Sequence, residues 1–113
     1  MMEIIEKTEG LAVVALSGRL DSAVARELET PLEDLVREGC RYLVLDFARV
    51  TLLASDGLKL LLRLEVLCKK SDGTLALAAV PAGVEVVLDL AGFTPHFRRY
   101  TDVAAARAGL GGS

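Results

Sequence analysis

The chain has no tryptophan, one histidine and two cysteines among 113 residues. Each scarcity removes a class of chemistry. Cys40 and Cys68 lack the C-x-x-C spacing, and His96 alone cannot complete a common zinc set with them, so no metal site is expected. A lone histidine also leaves most acid–base designs without a second group. His96 reads instead as a polar residue on an edge strand. The phosphate-cradling patterns G-x-G-x-x-G and G-x-x-x-x-G-K-[ST] are missing, and so is G-x-S-x-G. No cofactor and no enzymatic activity are expected. No apolar run is long enough to cross a bilayer free of charge, so no direct membrane insertion is expected. Met1-Met2-Glu3 lacks the basic start of a signal peptide. A cytoplasmic location is the expectation, with both thiols reduced and buried as small hydrophobes. A net charge of −3 with no basic block argues against a nucleic-acid partner.

What is present is apolar. Hydrophobic residues make up 52% of the chain and the mean hydropathy is +0.43. That is enough for a real core in one domain of this length, with apolar surface left over for a partner. The expected domain is 1–113, with its core from about residue 3 to 106 and a flexible tail over 109–113. The expected state is a monomer or a weak dimer.

Two strand-like runs, Glu3 to Thr8 and Leu11 to Ser17, flank Glu9-Gly10 and read as a hairpin, with Gly10 supplying positive φ. Val13-Val14-Ala15-Leu16 is nearly continuous apolar, as in a central strand covered on both faces. Ser17 to Asp21 leaves that strand. Val24, Leu28, Leu32, Leu35 and Val36 then repeat at helical spacing. Pro31 interrupts the pattern. Either the helix kinks there, or a new one begins with Thr30 as cap and Glu33 completing a capping box. Gly39 ends it. Tyr42 to Phe47 reads as a buried strand. Leu58 to Lys70 reads as a helix with Leu58, Leu61, Leu62 and Leu64 inward. Thr74 to Ala78 is a strand, Val84 to Leu90 a short helix closed by Gly92, and His96 to Tyr100 an edge strand. Thr101 or Asp102 caps a last helix through Arg107. The order β-β-α-β-α-β-α-β-α predicts an α/β fold. Its mixed, mostly parallel sheet has about four to five strands, an N-terminal antiparallel hairpin and about four helices.

The chemistry concentrates at Ser55. An apolar run, Val50 to Leu53, stops just before it, and a helical run starts just after it. Ser55 therefore falls at or next to a helix N-cap, where free backbone N–H groups and the helix dipole accommodate a phosphate. The plainer reading is a capping serine. Asp21, Asp46 and Asp56 fall near strand ends or helix starts, which in a parallel sheet form one rim. Asp21 and Asp56 would flank Ser55, although Asp21 reads equally as an N-cap. Asp56, Lys59 and Arg63 form a polar stripe beginning beside Ser55. It reads either as a solvated face or as a docking surface.

Four segments coincide in order: Leu16-Ser17-Gly18-Arg19-Leu20-Asp21, Leu43-Val44-Leu45-Asp46-Phe47, Leu53-Ala54-Ser55-Asp56-Gly57-Leu58, and Val84 to Phe93. Together they resemble a STAS domain of the bacterial anti-sigma factor antagonist family, over about Glu3 to Ala106. That resemblance implies a protein that binds an anti-sigma factor, usually a serine kinase, and so frees a sigma factor. In such proteins the kinase phosphorylates a loop serine and breaks the complex, and a serine phosphatase restores it. Ser55 matches the phosphorylated serine, Gly57 the glycine after the serine pair, and Asp21 the aspartate of the G-x-L-D motif. The partner-binding set expected from both readings is Asp21, Asp56, Gly57, Lys59 and Arg63. Two positions depart from the family pattern. Ala54 stands where an aspartate is usual, and Asp56 replaces the second serine. Some stand-alone STAS proteins resemble this chain in another role. They are subunits of ABC-type lipid transport systems, bound to the ATPase.

Overall fold

The computed structural model describes residues 2–8, 10–92 and 97–110. The elements run in chain order β1 (Met2–Lys7), β2 (Leu11–Leu20), α1 (Ser22–Arg37), β3 (Tyr42–Leu53), α2 (Ser55–Lys70), β4 (Thr74–Ala78), α3 (Ala82–Leu90), β5 (Arg98–Tyr100) and α4 (Val103–Leu110). They form the expected α/β architecture. One five-stranded sheet has the order β1-β2-β3-β4-β5. The β1–β2 pair is antiparallel and every other pair is parallel.

The topology follows from three crossovers stepping the same way along the sheet. Right-handed connections in one direction put their helices on one face. So α1, α2 and α3 share a face, and its core gathers Val14, Leu16, Leu43, Leu45, Phe47, Leu61 and Leu88. The opposite face holds a smaller cluster of Val13, Val44, Ala76, Ala78, Ala106 and Leu110, under α4. This is why Val13 and Val14, adjacent in β2, are both fully buried. The continuous apolar run in β2 belongs to a strand covered on two sides.

Several boundaries differ from the sequence reading. β2 does not stop at Ser17 but reaches Leu20, with Gly18 at φ 82 taking up a register shift against β3. Glycine tolerates that left-handed backbone, so the strand bends without ending. The first hairpin forms. α1 is one helix with Pro31 inside it, so Thr30 is no cap and Glu33 completes no capping box. Pro31 and Glu27 are both solvent-exposed. The Glu27 carbonyl that loses its partner can therefore bond to water. On α2, Leu60 is buried while Leu62 is only partly so. Leu60 turns toward α1, which covers that side.

The last helix begins after Asp102, whose carboxylate accepts the Ala105 N–H at 2.7 Å. It runs beyond Arg107 to Leu110, which is 4% exposed. Gly109 and Leu110 therefore belong to the folded domain rather than to a tail, because Leu110 closes the small cluster under the sheet. His96 lies outside the described residues. The strand expected there spans Arg98–Tyr100.

Both cysteines are free and buried. Burial pushes the Cys68 thiol up to about 12, with the neighbouring Cys40 and Glu65 adding to the rise. The Cys40 thiol is also raised, again chiefly by burial. Neither is a nucleophile at neutral pH. Iodoacetamide at pH 8 should label neither thiol in the folded protein and both in denaturant. Rapid labelling of folded protein at Cys68 would overturn this. The raised Cys68 value also sets a pH dependence. Its contribution to stability is complete below about 9, the ordinary value, and is lost as pH rises toward 12.

Candidate functional site at the start of α2

β2 and β3 are parallel and end together, with Leu20 opposite Leu53. A single residue then joins each strand to its helix: Asp21 before α1 and Ala54 before α2. The Ala54 N–H donates to the Leu20 carbonyl at 3.0 Å, which ties the two junctions together. Two helix N-termini therefore stand side by side at the C-terminal rim of the sheet. This is where open parallel sheets usually hold ligands.

The two starts differ in their caps. Asp21 caps α1, since its carboxylate accepts the Val24 N–H at 3.1 Å. Such a cap contributes about 1 kcal/mol. At α2 the cap position is Ala54, which offers no side-chain bond. The first helical bond is Leu58 N–H to the Ala54 carbonyl, at 3.1 Å. The N–H groups of Ser55, Asp56 and Gly57 therefore have no intrahelical acceptor. Ser55 is the first residue of the helix, not its cap, and it is exposed. Asp56 adds a carboxylate in the first turn, favourable to the dipole.

Gly57 has a packing task at this junction. It is buried, and a Cβ there would lie 2.8 Å from the Leu20 carbonyl oxygen and 2.8 Å from Leu53 Cδ1. Its missing side chain lets α2 start against the end of β2. Gly57 shapes the site from beneath.

Asp56, Lys59 and Arg63 do form one stripe. They line a groove of about 250 Å³ between α1 and α2, facing Ser22, Arg26 and Glu29. Its floor includes Ala25 and Leu60, 6% and 7% exposed. Lys59 is loosely paired with Asp56, at 3.9 Å, and its side chain is 79% exposed. Arg63 is paired with Glu29 and lies 3.7 Å from the Glu33 carboxylate. So one end of the stripe is open to a partner, and the other is engaged with α1. Sequence reasoning missed the α1 wall. Ser22 and Arg26, four apart and followed by Glu29, carry the helical spacing that would have revealed it.

Asp46 does not join this rim. β3 continues seven residues past it, to Leu53. Its carboxylate accepts the Ala48 N–H at 3.0 Å, where the β2–β3 register shifts. Asp46 thus satisfies an amide that the irregular pairing frees. Among the described residues no group of His, Cys, Asp and Glu could hold a metal ion. No described helix is long and apolar enough to cross a membrane.

The family model described as Mlab, STAS domain, matches residues 5–97. The chain belongs to the STAS domain family. A curated relative of this STAS protein is BtrV of Bordetella bronchiseptica, a proposed anti-sigma factor antagonist. It is 31% identical over 93 residues, covering 82% of this chain and 80% of BtrV. A solved anti-sigma factor antagonist from Mycobacterium paratuberculosis is 26% identical, with a TM-score of 0.84 over 97% of this chain and 94% of its own. SpoIIAA, a Bacillus cell fate determinant, shares the fold. Its unphosphorylated form superposes with a TM-score of 0.83 at 18% identity, over 96% of each chain. By homology and fold this STAS domain stands in the anti-sigma factor antagonist family.

Proposed function

We propose that this STAS domain binds an anti-sigma factor that is a serine kinase, frees the sigma factor, and is switched off by phosphorylation of Ser55. A serine phosphatase restores binding, and the exchange takes place in the cytoplasm. The observation behind this reading is Ser55 itself. It is exposed at the first position of α2, it does not cap the helix, and it adjoins the groove between α1 and α2. A phosphate there adds about −1.5 to −2 charges. Unpaired helix amides and the dipole accommodate them, so the fold survives. Asp56, the next residue, is already acidic. A partner surface matched to the unmodified rim would lose its electrostatic fit. Asp21 and Asp56 at the two helix starts, with the exposed Lys59, form the partner face. That SpoIIAA has been solved in a phosphorylated form supports the reading.

The test is capture from the host lysate with ATP added, the bound kinase being identified by mass and then purified. Ser55→Glu should raise its Kd at least about tenfold, some 1.4 kcal/mol. Ser55→Ala should bind as wild type does and take no phosphate. Equal affinity of Ser55→Glu and wild type for that kinase would defeat the reading.

A second reading, a subunit on the ATPase of an ABC-type lipid transport system, draws on the departures at Ala54 and Asp56. They leave one acceptor in the loop with an acid beside it. In that case wild type and Ser55→Glu hold the same ATPase equally, and Lys59→Ala weakens both.

A further inference from the structure

Lys59 stands between two claims. At about 100° per residue, it lies about 40° around α2 from Ser55 and about 60° from Asp56 on the other side. It is four residues after Ser55 and three after Asp56, so either side chain is within its reach. Its present ion pair with Asp56 is long, at 3.9 Å, and both side chains are substantially exposed. Such a pair contributes little. A phosphoserine is a stronger acceptor than a carboxylate, and an anion N-terminal to a lysine four residues on is the favoured order.

We propose that Lys59 is the internal counter-ion of phosphorylated Ser55. It pairs with Asp56 while Ser55 carries a free hydroxyl, and it turns to the phosphate once Ser55 is modified. This rests on the reading of Ser55 as a phosphorylation site. The consequence reaches the groove. Arg26, Lys59 and Arg63 there face Glu29 and Asp56, a surplus of one positive charge. A phosphate reverses that sign, and the move of Lys59 leaves Asp56 as an uncompensated carboxylate. The modification therefore acts twice, through its own charge and through the acid it unmasks. Arg26, across the groove, makes no ion pair among the described residues and is the competing candidate for the phosphate.

The test uses the full chain with phosphoserine encoded at position 55, so that no kinase is needed. ³¹P NMR follows the second ionisation of the phosphate with pH. Lys59→Met should raise its midpoint by about half a unit relative to wild type, and Lys59→Arg should restore it. Lys59 is exposed, so each variant should fold, and thermal unfolding of the unmodified variants checks this. Midpoints agreeing within about a tenth of a unit between wild type and Lys59→Met would overturn the proposal. So would a rise that follows Arg26→Met instead. Failure of the docking reading shows elsewhere: phosphorylated wild type would hold the purified kinase as tightly as unmodified protein, whatever the phosphate titration gives.

Discussion

Gly57→Ala should lower stability by about 2 kcal/mol and the midpoint of thermal unfolding by about 10 °C. One methyl group has this effect because of what it meets. A Cβ at position 57 would lie 2.8 Å from the Leu20 carbonyl oxygen, which is backbone and cannot rotate away. That oxygen already accepts the Ala54 N–H at 3.0 Å. The helix start would have to lift off the end of β2, and the bond joining the two junctions would stretch. The damage is local to the site. Asp21 follows Leu20 directly, and Ser55 follows Ala54. The variant should therefore lose partner affinity at temperatures where it is still folded. Urea unfolding and binding to the purified kinase measure the two effects. A variant as stable as wild type would show that α2 adjusts without cost. A destabilised variant with unchanged affinity would show that the spacing of the two helix starts does not matter to docking.

The same residue shows what the sequence could and could not disclose. Its place after Ser55-Asp56 marks Gly57 as part of a motif. Whether a glycine touches a partner or lets two backbones approach is a tertiary fact, carried by Leu20, which lies far away in sequence. The element order was legible because periodicity is local. Apolar residues at spacings of three and four predicted α1 and α2, and the run Val13 to Leu16 predicted a strand buried on both faces. The ends of β2 and β3 were not legible. Gly18 and the shifted register around Ser17 break the alternation that marks a strand, although pairing continues to Leu20 and Leu53. The inward set on α2 lacked Leu60, since α1 covers a side that a solitary helix would expose, while Leu62 packs against the core but is only partly buried. Asp21 was read both as a cap and as a rim carboxylate. Its bond to the Val24 N–H establishes the cap, and a cap at the rim can still face a partner.

The other large effect lies at the far end of the polar stripe. Replacing Arg37 and Arg63 together by methionine should destabilise the domain by about 3 kcal/mol, more than the two single replacements added together. Glu33 is the reason. Among the described residues it is one of two buried charged groups, at 8% exposure. Arg37 pairs with it at 3.1 Å from the next turn of α1, and Arg63 approaches at 3.7 Å from α2. Both arginines are largely exposed and reach inward from the surface. Either alone can keep the carboxylate compensated, so each single replacement should cost about 1 kcal/mol. Removing both leaves a buried charge with no cation, and the penalty then rises steeply. Adding Glu33→Met to the double variant removes that charge and should recover most of the loss. Urea unfolding of the three arginine variants and the triple variant measures each term. Purely additive single effects, or a triple variant no better than the double, would show that water rather than the arginines satisfies Glu33. The expected pattern gives Arg63 a structural task, holding α1 against α2. Lys59, four residues earlier on the same stripe, remains the cation free to respond to events at Ser55.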